Sequence, residues 1–221
     1  MAYSLGLQAT YTHIDIGVFQ DDRLLLSVEK DKILASRELV PTCAALLMEI
    51  DLSLSDIAYI TVNKGPAPFT SLRTVIATAN GLAYALKIPL VGIDGLEVLL
   101  DETSKHYAQT EFTPIVVLHA FGNDVYCGYT LPDGTTSFEC LPLPTFIEKL
   151  TTMTTTSYVL VGNGASIHQA LLKESLGNRF FIPEMTQPYA SLAALNEKAW
   201  HLWQAGTTCS QVQPLYLKKT L

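Results

Sequence analysis

Hydrophobic and polar residues alternate along the first thirty positions. Tyr3, Leu5, Leu7 and Ala9 form one alternating set, and Ile14, Ile16 and Val18 a second. Leu24, Leu26 and Val28 form a third after Asp21-Asp22. A period of two puts every second side chain on one face of a strand, so three strands in a meander are predicted. The spacing then lengthens. Leu39, Cys43, Leu46, Leu47 and Ile50 recur at helical intervals and predict a helix over 36–50. Pro41 falls in its first turns, where a missing amide is tolerated. Ser53-Leu-Ser-Asp56 reads as a capped turn. A strand over 57–62, a helix over 70–86, a strand over 88–93 and a short helix over 95–100 complete the order βββαβαβα.

The second half repeats much of this pattern. Positions 103–113 are polar without clear period and read as a linker. Strands are predicted over 114–120 and 125–130, with Pro132-Asp133-Gly134 turning into a third. A helix fits 145–150, the threonine-rich 151–157 is a loop by composition, and 158–161 is a strand. Gly162-Asn163-Gly164 reads as a tight turn before a helix over 165–176, followed by a strand over 180–182 and a helix over 191–204. A meander followed by alternating strands and helices, occurring twice, predicts an α/β protein of two ribonuclease-H-like lobes. This is the actin/sugar kinase/Hsp70 (ASKHA) architecture, and the analogy alone carries no function. The lobes are placed at 1–104 and 105–221, with the last residues free to return to the N-terminal lobe.

Composition narrows the function. The 221 residues are 48% hydrophobic and 16% charged, enough for a substantial core. The net charge of -7 argues against this chain alone gripping nucleic acid. No apolar run is long enough to span a membrane, and no secretory n-region opens the chain, so a soluble cytoplasmic protein is expected. Cys43, Cys127, Cys140 and Cys209 show neither zinc nor disulfide spacing, as buried thiols in a reducing compartment would. His13, His106, His119, His168 and His201 include no metal-ligand spacing, and no G-x-S-x-G elbow is present. His13 and Asp15 share a strand face but read as surface groups, and Asp124 and Asp133 sit at turns. Neither a catalytic nor a metal set is expected.

The most informative stretch is NKGPAPFTSLRTVIATANGLAYALKIP, 63–89. A strand, a glycine turn and a helix N-terminus with Arg73 in the first turn is a geometry that anions favour. Against that, Pro66 and Pro68 remove amide donors, and neither G-x-x-x-x-G-K-[ST] nor G-x-G-x-x-G occurs. The alternative for Arg73 is pairing with a nearby carboxylate, such as Asp94 or Glu97. The helix itself offers a second reading. Leu72, Val75, Ile76, Ala79, Leu82, Ala83 and Leu86 form its core stripe. The opposite side carries Thr74, Ala77, Thr78, Gly81 and Ala85, with a nearly side-chain-free lane every four residues. Glycine inside a helix costs about 1 kcal/mol against alanine, so packing should offset it. The preceding helix behaves alike, with Pro41, Ala44, Ala45 and Met48 on its far side. Two uncharged outer faces fit half of a four-helix contact. Either a partner or the second lobe of this chain covers them; two such faces are many for one small chain to hide, which favours a partner.

Asn63–Ile93 resembles the TsaB (YeaZ) family, whose pattern here is G-R-G-P-G-S-F-T-G-[LV]-R, a small-residue helix, then I-P-[LIM]-x-G-[VI]. This chain has N-K-G-P-A-P-F-T-S-L-R, A-T-A-N-G-L-A-Y-A-L-K and I-P-L-V-G-I. Leu54-Ser-Asp-Ile57, Asn123-Asp-Val-Tyr126 and Gln213-Pro-Leu-Tyr-Leu217 also fit. The resemblance implies a catalytically inactive scaffold in tRNA threonylcarbamoyladenosine (t6A) synthesis. It further implies pairing with the TsaD-type transferase, or with a second copy as a homodimer, through the two N-lobe helices. A TsaE-type ATPase joins, and tRNA is reached only through the complex. The interface residues would be Pro41, Ala44, Ala45, Met48, Arg73, Thr74, Ala77, Thr78, Gly81 and Ala85. No cofactor is expected on this chain alone, with ATP admitted in the complex. The family's D-T-S aspartate aligns with Gln8 and its D-A-R with His119-Ala120-Phe121, while two loop glycines are Ala67 and Ser71. Each change removes a group suited to phosphate or magnesium. The alternatives are an ATP-dependent kinase or ATPase of the same fold, which Gln8 opposes, and a peptidase, which the missing metal pair opposes.

Overall fold

The structure, a computed structural model, describes residues 1–33, 35–131, 133–153, 157–184 and 187–218. It divides into two compact units. Unit 1 comprises Met1–Gly95 with Ser191–Leu215, and unit 2 comprises Leu96–Ala190 with Tyr216–Leu221. The division at Gly95/Leu96 replaces the expected 104/105, and the helix following residue 191 belongs to unit 1.

Unit 1 is a five-stranded mixed sheet in the order β3-β2-β1-β4-β5. The meander β1 (Tyr3–Ala9), β2 (His13–Gln20) and β3 (Arg23–Asp31) is antiparallel, while β4 (Ile57–Asn63) and β5 (Leu90–Ile93) run parallel to β1. The first two alternating sets converge as expected, joined by Leu26 and Val28 of the third, while Leu24, past a register shift between Val18 and Phe19, does not join them. Leu5, Leu7, Ile14, Ile16 and Val18 lie under α1 (Ala35–Met48) and α2 (Phe69–Leu86). Ser53 and Asp56 form a capping box before β4.

The other face of this sheet is closed by α7 (Leu192–Gln204). Ser191 caps it, its hydroxyl accepting from Ala194 N–H at 3.1 Å. Asn196, fully buried, ties α7 to the strands. Its Oδ1 accepts from the Ser4 and Thr61 hydroxyls at 3.0 and 3.1 Å, and its Nδ2 donates to Asp21 O at 3.1 Å. A satisfied buried amide of this kind fixes one docking register. Residues after α7 strap α2: Asn80 exchanges hydrogen bonds with Val212 N and O at 2.9 and 3.0 Å, and Leu215 N–H donates to Lys64 O at 2.9 Å.

Unit 2 repeats the topology as β8-β7-β6-β9-β10. Its strands are β6 (Thr113–His119), β7 (Asp124–Thr130), β8 (Thr136–Pro142), β9 (Tyr158–Val161) and β10 (Phe180–Phe181). The helices α4 (Leu143–Thr152), α5 (Asn163–Ile167) and α6 (Gln169–Leu176) accompany them. Three expectations change. The first part of the proposed linker, 103–107, is helix, because α3 runs Gly95–Tyr107, with Leu96, Leu99, Leu100 and Thr103 buried at helical spacing. The helix over 165–176 is two helices meeting at His168. Positions 151 and 152 extend α4, while 154–156 of the expected threonine loop and Pro132 of the expected turn lie outside the described residues. Among the described residues no helix is long and apolar enough to cross a membrane.

Candidate functional site

The strand-to-helix turn ahead of α2 is closed on itself. Lys64 N–H donates to Ile93 O at 2.7 Å and Gly65 N–H to Asn63 Oδ1 at 2.8 Å. Pro66 and Pro68 have no amide to offer. These two amide donors at the head of the turn are therefore committed. Arg73, one turn into α2 rather than in the expected first turn, lies with its guanidinium carbon 3.6 Å over the Phe69 ring in a cation–π contact. Gly162-Asn163-Gly164 likewise serves packing. It opens α5 against the end of β6, where a Cβ on Gly164 would sit 2.8 Å from Leu118 C and Asn163 Oδ1 accepts His119 N–H at 3.0 Å.

The outer face of α2 is bare. Leu72, Val75, Ile76, Ala79, Leu82 and Ala83 are buried as the core stripe, and the strap covers the flank at Asn80. Arg73, Ala77, Gly81 and Ala85 are exposed, and a Cβ built on Gly81 meets nothing within 4 Å. Thr74 and Thr78, half-buried, turn their hydroxyls back onto the carbonyls of Thr70 and Thr74 at 3.0 and 2.9 Å. Back-bonding of this kind spends the hydroxyls on the helix's own backbone, leaving the lane less polar than its sequence. The lane ends at an open pocket of about 740 Å³ that includes Tyr84, Ala85, Lys87, Pro89 and Cys209.

On α1 the expected residues divide. Met48 is 73% exposed and Ala44 half-buried, whereas Pro41 and Ala45 line a groove toward β3 together with Glu38 and Glu49. That flank is thus charged, and Arg37 is also exposed on this helix. The reading of a wholly uncharged far side holds for α2 better than for α1. Sequence reasoning missed two exposed aromatics on α2, Phe69 and the 87% exposed Tyr84. Tyr84 stands three residues after Gly81, a helical neighbour of the lane.

Groups fit for covalent chemistry are weak here. Burial pushes the Cys43 and Cys127 thiols up to about 12, which keeps them protonated and unreactive. His168 is lowered by burial and by the neighbouring His119, whose ring centroid lies 5.8 Å away. Asp15 is pushed up to about 6, chiefly by burial, with His13 acting to lower it and Glu29 to raise it. Asp124 pairs with Lys218 at 2.8 Å.

The repeated sheet with its accompanying helices defines the class as a two-lobed ASKHA-type fold. YeaZ from Pseudomonas aeruginosa aligns over 98% of this chain and 100% of its own, with a TM-score of 0.71 at 24% identity. A putative N-acetylmannosamine kinase from Listeria monocytogenes shares the fold at a TM-score of 0.54 and 12% identity, over 92% and 99% of the two chains. A family model described as "TsaD: tRNA N6-adenosine threonylcarbamoyltransferase" matches residues 34–136. Among curated proteins, the tRNA threonylcarbamoyladenosine biosynthesis protein TsaB of Buchnera aphidicola (Schizaphis graminum strain) is 28% identical over 59% of this chain and 61% of its own. The Bacillus subtilis protein of the same description is 27% identical over 67% of this chain and 65% of its own. These matches span less than two thirds of either relative's length. The chain is thus similar in sequence to curated TsaB proteins and in fold to YeaZ.

Proposed function

We propose that this chain is a non-catalytic subunit of t6A synthesis that binds and positions a TsaD-type transferase through the outer face of α2 and the Met48 end of α1. The observation that carries the reading is Gly81. It spends about 1 kcal/mol of helix stability relative to alanine, and among the described residues a Cβ placed on it meets nothing within 4 Å. A second helix laid along Ala77, Gly81 and Ala85 would supply the missing contact, with Tyr84, Phe69 and Met48 at its margins. The relatives' description supplies the pathway, and the match to the transferase's family model favours a partner built on the same fold. A homodimer through the same face is the form expected where the transferase is absent, and a TsaE-type ATPase is the third component. The acidic balance leaves tRNA contact to the complex, working in the cytoplasm.

The buried, protonated thiols and Gln8 in place of an aspartate support an inactive chain. A neutral amide lacks the charge with which a carboxylate holds magnesium. The competing ATP-using reading predicts micromolar binding of Mg-ATP to the isolated chain, whereas a scaffold shows none tighter than about millimolar.

The test is complementation. Depleting the protein should remove threonylcarbamoyl from tRNAs that read codons beginning with A, measured by mass spectrometry of digested tRNA. Asp124→Ala should restore the modification. Thr78→Trp should fail to restore it, because an indole cannot enter a close helix contact. Full modification with Thr78→Trp would contradict the proposal.

A further inference from the structure

Beside the turn that joins β1 to β2, three side chains converge on one face of the β2–β3 ladder. His13 and Asp15 stand two residues apart on β2, and Glu29 on β3 is the register partner of Asp15. The His13 Nε2 lies 2.8 Å from Asp15 Oδ1 and 3.7 Å from Glu29 Oε1, and the three donor atoms all lie within 4.8 Å of one another. Among the described residues this is the one group of three or more histidine, cysteine or acidic side chains so close together. We propose that His13, Asp15 and Glu29 bind a divalent first-row transition-metal ion, with Zn²⁺ as the test case.

The chemistry fits in three respects. Ligand bonds of about 2.0–2.2 Å put tetrahedral donors about 3.4 Å apart, inside the range these atoms span. Two carboxylates match the charge of a divalent ion, and the imidazole selects zinc, copper, iron or nickel over the oxygen-preferring magnesium, calcium and manganese. The third respect is orientation. The Thr12 hydroxyl lies 2.9 Å from His13 Nδ1, the outer contact that holds a liganding imidazole and directs its other nitrogen at the metal. Thr10 fixes the turn itself, its hydroxyl donating to His13 O at 2.8 Å and accepting His13 N–H at 3.0 Å. His13 and Asp15 side chains are 18% and 14% exposed, so two ligands are held by the fold, while Glu29, at 73%, is free to swing in. Three protein ligands leave one position for water. The ion would pin the meander beside Gln8, the register partner of Asp15 on β1. This site stands apart from the helix face and does not depend on it.

The test is calorimetric titration of the tag-free full chain with ZnCl₂ at neutral pH. One ion per chain is expected, with a melting temperature raised by zinc. His13→Gln, Asp15→Asn and Glu29→Gln should each weaken binding at least about tenfold, and His168→Ala should leave it unchanged. Melts without metal establish that the variants fold, and Glu29→Gln, at an exposed position, keeps the test open if the other two do not. Absence of stoichiometric binding tighter than about millimolar would overturn the proposal. So would Glu29→Gln binding zinc as tightly as the wild type, since the ion would then sit elsewhere.

Discussion

The two units have the same strand order but different helix surfaces. In unit 1, α2 carries a single charged residue, Arg73, along Phe69–Leu86, and its outward lane is alanine and glycine. In unit 2, the helices in the equivalent places carry charge: Glu148 and Lys149 on α4, Lys173 and Glu174 on α6. Lys149 is also tied to Glu139 of β8 at 2.6 Å. The glycines differ too. Gly164 is pressed against the backbone at Leu118, whereas Gly81 faces open space. One topology thus tolerates a solvated surface and a bare one. In the bare one, among the described residues, a Cβ on Gly81 meets nothing within 4 Å.

The largest expected effect separates the two surfaces directly. Thr78→Trp should weaken pairing with the TsaD-type transferase by at least about a hundredfold. Ala170→Leu, on the exposed side of α6, should leave pairing unchanged in the same pull-down. Next come the glycines. Gly164→Ala should destabilise the chain by about 1–3 kcal/mol in urea unfolding, because the added methyl meets backbone that cannot move aside. Gly81→Ala should stabilise the isolated chain by about 0.5–1 kcal/mol, because it removes helix entropy cost and meets no neighbour. Opposite signs for the two substitutions sharpen the comparison, and equal signs break it.

The expected pH effect is smaller. Burial alone would raise the Glu139 carboxyl, but hydrogen bonds from Lys149, Tyr129 and Ser137 outweigh it and hold the group down to about 2. Its folded value lies below its unfolded one, so its stabilising contribution is complete above about pH 4.5 and is lost as pH falls toward 2. Acid titration of unfolding should show this loss in the wild type and not in Glu139→Gln.

How much could be read from the sequence follows from the range of the forces involved. The meanders and the α2 core stripe were legible because a period of two or 3.6 is local. α3 is longer than expected because Thr103, Ser104 and Lys105 look like linker, yet Leu96, Leu99, Leu100 and Thr103 keep a buried stripe running into them. The membership of α7 in unit 1 was not legible. It rests on Asn196 meeting Ser4, Thr61 and Asp21, which are distant in sequence. At the candidate interface the small-residue lane was legible. That Pro41 and Ala45 turn toward Glu38 and Glu49 was not, because flank assignment depends on where β3 runs. The His13–Asp15–Glu29 convergence was half legible. Two members share a strand face by alternation, but the third arrives through β2–β3 register.

The central claim is that the α2 lane is bare because a partner helix fills it. The most direct measurement is a calorimetric titration of the chain with the transferase of the same organism, for wild type and Gly81→Leu, beside thermal melts of each chain alone. The account predicts that Gly81→Leu melts no lower than the wild type, having open space for its side chain, and binds at least about a hundredfold more weakly. A Gly81→Leu chain that pairs with wild-type affinity would contradict it.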